Sequence, residues 1–382
     1  MVQGRVSTEP DQDTKPVNAQ QQYILNTQQM TDALVLAGAY LRQHADQQKS
    51  DHPDLQRLNA AFYASFEATI LREHTFNAWF TEEQVRRAIE NIAVLLTSTD
   101  LSRWLGMYPE LPGNGPQKTI GVVMAGNIPL VGFHDLLSVL LSGHKFLGKP
   151  SSKDDHLLRS ITELLCAIEP EFADRISYTE GYLKDADAII ATGSDNTARH
   201  FEYYFRDIPH IIRRNRNGVA VLTGNETRDE LLGLGDDIFA YFGLGCRNVT
   251  KIFIPVGYPL ERLLESLEYF SSLRDHHKYA NNLEYNRSVY LMNSISFLDN
   301  GVLLLKEDER YSSPVGVVYY ETYTELDNVV KKIILEQEQV QCVVTIAEGI
   351  ENAVAPGNSQ SPALWDYADG VDTMKFLTDL SQ

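Results

Sequence analysis

Thr119-Ile120-Gly121-Val122-Val123-Met124-Ala125-Gly126-Asn127 is a short, β-branched apolar run closed by a Gly-Asn turn. A run of this length, ended by turn residues, reads as a buried strand. A helical pattern follows from Leu130 to Leu141, then a second short strand from Lys145 to Gly148 that ends at Lys149-Pro150. The alternation repeats with a helix from Asp154 to Ile168, a strand from Ala186 to Ala191, the turn Thr192-Gly193-Ser194 and a helix from Asn196 to Phe205. Gly218 to Leu222 reads as one more strand. Strands alternating with helices imply a parallel α/β sheet. Such sheets bind ligands at the carboxyl ends of their strands. Those ends carry Ala125-Gly126-Asn127, Gly148-Lys149-Pro150-Ser151-Ser152 and Thr192-Gly193-Ser194, small and polar residues suited to a phosphate-bearing cofactor.

Upstream, residues 1–28 are polar, rich in Gln, Thr and Asp, and without periodicity, and read as a flexible leader. Helical spacing then runs through Thr31–His44, Leu55–Arg72 and Thr81–Thr97. Thr81, with Gln84 three residues on, has the pattern of a capping box. Pro109, Pro112, Gly113, Gly115 and Pro116 mark a break between this helical front and the α/β region. Downstream, a helix from Asp236 to Phe242 leads to Cys246 and a strand from Lys251 to Ile254. A helix at Leu260–Leu273, strands at Ser288–Leu291, Val302–Leu305 and Val315–Tyr320, a helix at Glu325–Gln337 and a strand at Cys342–Ile346 complete a second α/β unit. The expected division is residues 29–240 for the helical segment plus dinucleotide-binding domain, 241–350 for a catalytic domain carrying the cysteine, and 351–382 for a tail.

Composition narrows the function classes. The chain has 382 residues, 43% hydrophobic and 22% charged, with a formal net charge of -19. Without an excess of Lys and Arg it is not built to neutralise nucleic-acid phosphates or to lie on an anionic membrane. An anionic substrate therefore needs local basic residues. The longest apolar run, Ile128 to Ser142, contains His134 and Asp135 and is too short to cross a bilayer. Three widely spaced cysteines, Cys166, Cys246 and Cys342, suggest neither a disulfide framework nor a zinc cluster. With no secretory signal read at the polar N-terminus, a reduced, cytoplasmic setting is expected. His134 lies in an apolar helix and reads as a packed side chain. His276-His277 lacks further ligands at metal spacing and reads as a loop, so no metal site is expected.

Cys246 sits in Tyr241-Phe242-Gly243-Leu244-Gly245-Cys246-Arg247-Asn248, a glycine-rich turn that allows close approach by a substrate. Arg247 beside it is expected to favour the nucleophilic thiolate. A lone cysteine reads equally as a small buried hydrophobe. The order of motifs separates the two. Gly126-Asn127-Ile128-Pro129-Leu130, Gly148-Lys149-Pro150-Ser151-Ser152, Ala191-Thr192-Gly193-Ser194, the Cys246 turn and Ser313-Pro314-Val315 follow one another as the corresponding motifs do in the aldehyde dehydrogenase superfamily, which the chain resembles over roughly residues 118–350. Asn77-Ala78-Trp79-Phe80-Thr81 and the tail Leu364-Trp365-Asp366-Tyr367-Ala368-Asp369-Gly370-Val371-Asp372 are similar to the acyl-CoA reductase branch, related to the fatty-acid reductase of bacterial luminescence (LuxC).

The resemblance implies an aldehyde dehydrogenase-like fold of two parallel-sheet α/β domains behind an N-terminal helical segment. It implies that Cys246 attacks an acyl-CoA thioester and expels coenzyme A, and that Asn127 donates to the oxyanion. Read alone, Asn127 is an ordinary turn residue. Lys149, Ser151, Ser152, Gly193 and Ser194 match the family's cofactor-binding positions. Read alone, Lys149 is a solvated strand end and Ser194 a helix cap. Two departures set the direction of the chemistry. The family's water-activating Glu segment appears as Ile212-Arg213-Arg214-Asn215-Arg216-Asn217-Gly218, without a carboxylate, which favours reduction of an acyl group over its hydrolysis. The three arginines either meet phosphates or form a solvated basic loop. Ser152 stands where NAD-preferring relatives place a Glu, and Lys153 follows it, so NADPH is the expected cofactor with NADH possible. The Glu that holds the nicotinamide ribose has no clear match in Arg310-Tyr311-Ser312-Ser313-Pro314. The alternatives within the superfamily are an acyl-phosphate reductase or an NAD(P)-dependent aldehyde dehydrogenase. The resemblance also suggests a homo-oligomer.

Overall fold

The computed structural model describes residues 19–111 and 116–380, so Pro112, Gly113 and Gly115 of the expected break lie outside the described residues. Helices α1 (Ala19–Ala45), α2 (Pro53–Phe76), α3 (Glu82–Leu95) and α4 (Ser98–Leu105) form the front end. The expected leader 1–28 is therefore too long: helix begins at Ala19, and residues 1–18 are outside the description. Then follow β1 (Thr119–Val123), α5 (Phe133–Leu141), β2 (Lys145–Lys149), α6 (His156–Ile168), β3 (Ile176–Tyr178), β4 (Ala188–Thr192), α7 (Asp195–Phe205) and β5 (His210–Arg213). These strands make a five-stranded sheet in the order β3-β2-β1-β4-β5, with every pairing parallel. The order reverses between β1 and β4, so the crevice at their carboxyl ends is a topological switch point.

The second half contains β6 (Asn217–Val221), α8 (Arg228–Phe239), β7 (Val249–Pro255), α9 (Leu260–Leu267), α10 (His277–Met292), β8 (Leu298–Asp299), β9 (Leu304–Glu307), β10 (Val317–Tyr323), α11 (Leu326–Leu335), β11 (Val340–Thr345), β12 (Ala353–Val354) and α12 (Thr373–Asp379). Its seven-stranded sheet runs β12-β11-β6-β7-β10-β9-β8, parallel apart from the β8–β9 pair. The fold class is as expected: two parallel-sheet α/β units with helices in front.

Three local expectations are corrected. The strand at Gly218–Leu222 belongs to the second sheet, between β11 and β7, so the sheets divide between Arg213 and Asn217 rather than near residue 240. Ser288–Leu291 is the last turn of α10, not a strand. Its β-branched and aromatic residues continue a buried helical stripe of Tyr279, Leu283, Asn286 and Tyr290, which the polar Asn286 disguises. The strands β3 and β5 were not expected, being too short to show alternation.

The front-end helices are not a separate body. One continuous core runs from Leu34 and Ile89 through Val122 and Leu137 to Leu364 and Leu377 of the tail. The second sheet packs its own core around Ile252, Leu263 and Val318. The two sheets therefore meet with the carboxyl ends of β1 and β4 facing the residues ahead of β7.

Candidate active site

Those residues are the Cys246 turn, and its backbone is under strain. After α8 ends at Phe239, Tyr241 (φ 50), Phe242 (φ 58) and Gly243 (φ 76) are left-handed in succession. A left-handed non-glycine residue costs on the order of 1–2 kcal/mol, so the surroundings must hold it. Gln84 Oε1 of α3 accepts the Tyr241 N–H at 2.8 Å. Asn91 Nδ2 donates to the Tyr241 hydroxyl at 3.2 Å. Asn248, fully buried, closes the turn: its Oδ1 accepts the Gly245 N–H at 2.7 Å, and its Nδ2 donates to the Asp237 and Ala240 carbonyls at 3.0 and 2.9 Å. Beneath lies Gly218, where a Cβ would come within 2.5 Å of the Arg247 carbonyl oxygen, so that strand position admits only glycine. Sequence reading missed Gln84, Asn91 and Asn248. Gln84 was taken as half of a capping box, but only the Thr81 half is present, and the glutamine reaches the cysteine turn instead.

Cys246 is exposed on the wall of a cavity of about 1050 Å³ that Asn127, Ser151, Gly193 and Ser194 also line. Asn127 Nδ2 donates to the Leu244 carbonyl at 2.7 Å, tying the β1 turn to the cysteine turn and leaving a second amide hydrogen. Ser194 caps α7, accepting the Thr197 N–H at 3.4 Å. Lys149 and Ser152 are not brought to the cavity wall. The Lys149 ammonium donates to the Gly181 carbonyl at 2.8 Å, and Ser152 is exposed. The switch-point crevice, with the α7 N-terminus beside Gly193, offers backbone N–H donors of the kind that accept a dinucleotide pyrophosphate.

The electrostatics correct one expectation. The surrounding protein pushes the Cys246 thiol above its ordinary value, and Asp369 adds to this. Arg247 and Arg213 pull it down, but the protein packed around the sulfur displaces bulk water and prevails even though the residue opens onto the cavity, so Arg247 does not by itself give a resting thiolate. The Arg247 side chain is turned away to donate to the Ser359 carbonyl at 2.5 Å.

The arginine segment divides: Arg213 is buried, whereas Arg214 is exposed on the cavity wall. Arg213 is buried in a two-pronged bridge to Asp135 at 2.7 and 2.8 Å, and also donates to Thr373 Oγ1 at 2.8 Å. Arg214 pairs with Glu202, and Arg216 lies 3.5 Å from Asp369 while donating to the Gln337 carbonyl at 3.1 Å. Asp369, which reaches the cavity from the tail, was missed. Its carboxylate also accepts the Arg214 N–H at 3.1 Å, and its own backbone is left-handed at φ 59.

The histidines behave as packed groups. His134 Nε2 lies 2.8 Å from the Leu364 carbonyl oxygen, and burial lowers its pKa. His276 caps α10 through Nδ1, and Nε2 donates to the Ala78 carbonyl at 2.8 Å. Among the described residues no group of His, Cys, Asp and Glu is arranged to hold a metal ion, and no helix is long and apolar enough to cross a membrane.

The architecture is that of the aldehyde dehydrogenases. Aldehyde dehydrogenase 21 from Physcomitrella patens, in complex with the product succinate, superposes with a TM-score of 0.60 at 13% identity, covering 92% of this chain and 87% of that one. A Mycobacterium tuberculosis aldehyde dehydrogenase complexed with NAD+ gives 0.55 at 12% identity, over 83% of this chain and 74% of the other. The indole-3-acetaldehyde dehydrogenase of P. syringae, a mutant in complex with NAD+, gives 0.56 at 11%, over 86% and 73%. Within that fold the chain belongs to the acyl-CoA reductase (LuxC) family, whose model matches residues 26–255. It is thus an oxidoreductase of acyl or aldehyde groups. No curated protein sequence matches it.

Proposed function

We propose that the protein reduces an acyl-CoA thioester to an aldehyde with NADPH, through an acyl group held on Cys246. The Cys246 sulfur attacks the thioester carbonyl, the new C–S bond forms, and the bond to coenzyme A breaks. The proton lost by Cys246 is taken up by the departing coenzyme A thiolate, so the exchange of one thiol for another balances without a resident base; because the protein raises the Cys246 pKa, attack proceeds through a thiolate that is the minor resting form. The free hydrogen of the Asn127 amide and the Cys246 backbone N–H are the donors for the oxyanion, each worth roughly 3 kcal/mol. Gly193 and the α7 N-terminus hold the dinucleotide pyrophosphate, with Ser151 at the cavity wall and Lys149 and Ser152 at its edge. A bound nicotinamide dinucleotide would supply the hydride. As the acyl carbon takes it, the bond to the Cys246 sulfur breaks, the aldehyde leaves and the Cys246 thiolate regains a proton from solvent. Ser152, which is exposed, removes the repulsion that a carboxylate would offer a 2′-phosphate and so favours NADPH.

The observation that most supports this reading is the 2.7 Å bond that joins the Asn127 turn to the Cys246 turn over a shared cavity. The carboxylate whose charge acts on Cys246, Asp369, is already engaged by the Arg214 N–H and by Arg216, which argues against a water-activating base. The test incubates the protein with radiolabelled acyl-CoA and then adds NADPH or NADH. Labelled protein should form, discharge to aldehyde on addition of cofactor, and do so more efficiently with NADPH. Cys246→Ala should take up no label. Labelling that persists in that variant rejects the nucleophile, and more efficient use of NADH rejects the cofactor preference.

A further inference from the structure

The sequence demands local cations for an anionic substrate in a chain of net charge -19, and the expected arginines turn out to be engaged by protein groups. A second pocket, of about 240 Å³, supplies them elsewhere. It shares Gly126, Asn127, Lys153 and Leu244 with the main cavity and is flanked by Phe76, Trp79 and Lys278. Leu244 is two positions from Cys246, so a ligand anchored here has a path to the thiol past the Asn127 amide. On the rest of the proposed reading, we propose that this pocket docks the nucleotide end of acyl-CoA, with its phosphates on Lys153 and Lys278 and its adenine against Phe76 and Trp79.

Four observations carry the assignment. Neither lysine ammonium has a carboxylate partner among the described residues, and Asp155 next to Lys153 is already bound by Arg159 at 2.5 Å. The Lys278 ammonium stands 5.7 Å from the Trp79 ring centroid, so a cation and an aromatic face are presented together, the pairing that recognises a phosphorylated base. Phe76 is 53% exposed, a large apolar ring at the pocket rim with one side packed on the His156 ring, centroids 4.0 Å apart, and the rest open. Lys278 also occupies the first turn of α10, where the helix dipole favours acids over bases and none is present. A lysine kept at that position works against its own helix, which a role in ligand binding explains. The dinucleotide's 2′-phosphate shares this chemistry, but the switch-point crevice already accounts for the dinucleotide, and Lys278 comes from the second α/β unit, not from the dinucleotide-binding sheet.

Lys278→Glu is the decisive variant, since an acid in the first turn suits the helix and the change does not threaten folding. Its KM for acyl-CoA should rise about ten-fold, from one lost ammonium–phosphate attraction and the repulsion that replaces it. Its KM for the same acyl group carried on N-acetylcysteamine, which has no nucleotide, and its KM for NADPH should each move less than about two-fold. Lys278→Arg should restore most of the acyl-CoA affinity. Calorimetric titration with coenzyme A, which needs no turnover, should show the same loss of binding. Equal rises for both thioesters, or a rise for NADPH alone, overturn the assignment. If the wild-type chain reduces acyl-CoA while Lys278→Glu binds coenzyme A unchanged, the pocket assignment falls and the proposed reaction stands. A wild-type chain that neither binds coenzyme A nor reduces its thioester overturns both.

Discussion

Beneath the Asn127 turn lie two acids that the mechanism does not titrate, Asp154, which holds the turn, and Glu73, whose charge acts on Asp154. Leu130 is left-handed at φ 64, and its N–H donates to Asp154 Oδ2 at 2.8 Å. Asp154 and Glu73 are both buried, and burial first, with mutual repulsion contributing at Asp154, pushes each up to about 7. Glu73 has no hydrogen-bond partner on either oxygen; His156 Nδ1 stands 3.4 Å away without forming one. A folded pKa above the unfolded one means that the native state keeps a proton the unfolded chain gives up. Stability is therefore undiminished below pH 4.5 and falls as pH rises through about 7. At about 1.4 kcal/mol per pH unit, ionised Glu73 costs on the order of 3 kcal/mol. Glu73→Gln should accordingly be more stable than the wild type in urea titrations at pH 8 and no different at pH 4.5; a gain of the same size at both would show that the charge is not responsible. Nothing in the sequence marked this pair. The helical pattern read from Leu55 ends at Arg72, one residue short of Glu73, and burial of a glutamate at a helix end is a property of what packs on it.

At the level of elements, strand and helix periodicity made the first α/β unit legible, because buried parallel strands such as Thr119–Val123 and Ala188–Thr192 are continuous apolar runs. The reading failed where periodicity was short or crossed by a polar residue, in β3, β5 and the end of α10. The resemblance to the aldehyde dehydrogenase superfamily also singled out Cys246, Asn127, Ser151, Gly193 and Ser194, which do share one cavity; their local composition alone marked them only as turn residues. What holds those turns was not legible, since the partners are distant in sequence. Asn77 Nδ2 at the end of α2 donates to the Gly126 carbonyl at 3.4 Å, and Gln84 of α3 reaches Tyr241. The front-end helices thus act on the site as braces. Gln84→Ala leaves the Tyr241 N–H buried without an acceptor, which costs about 1–3 kcal/mol, and frees a left-handed turn to relax. It should lower both the denaturation midpoint and the rate of Cys246 acylation, by about ten-fold for the latter, while Gln84→Glu, which keeps the acceptor, should recover acylation. Loss of stability with unchanged acylation would reduce Gln84 to a packing residue.

For the molecule as a whole, the tail decides whether the cavity has a closed wall. Tyr367 receives the Trp104 indole N–H at 2.7 Å and lies 2.6 Å from the Tyr108 hydroxyl, which itself donates to Asp372 at 2.9 Å, so residues 364–373 are locked to α4 and to the segment that follows it. Arg213 at the end of β5 completes the lock, joining Asp135 of α5 to Thr373 of α12 across the cavity floor. The tail's resemblance to the acyl-CoA reductase branch was visible in the sequence; the partners that lock it were not, since they lie 160 to 264 residues away along the chain. A buried ion pair is costly to break and cheap to replace. Removing one partner strands the other charge at about 3–5 kcal/mol, whereas an apolar pair of similar volume is close to neutral. Asp135→Ala should therefore unfold at markedly lower urea concentration and expose Cys246 to faster alkylation, as the tail detaches from the cavity. Asp135→Leu combined with Arg213→Met should recover most of the stability. If the single variant loses no stability, or if the double variant is no better than the single one, the bridge is not what fastens the tail to the first sheet.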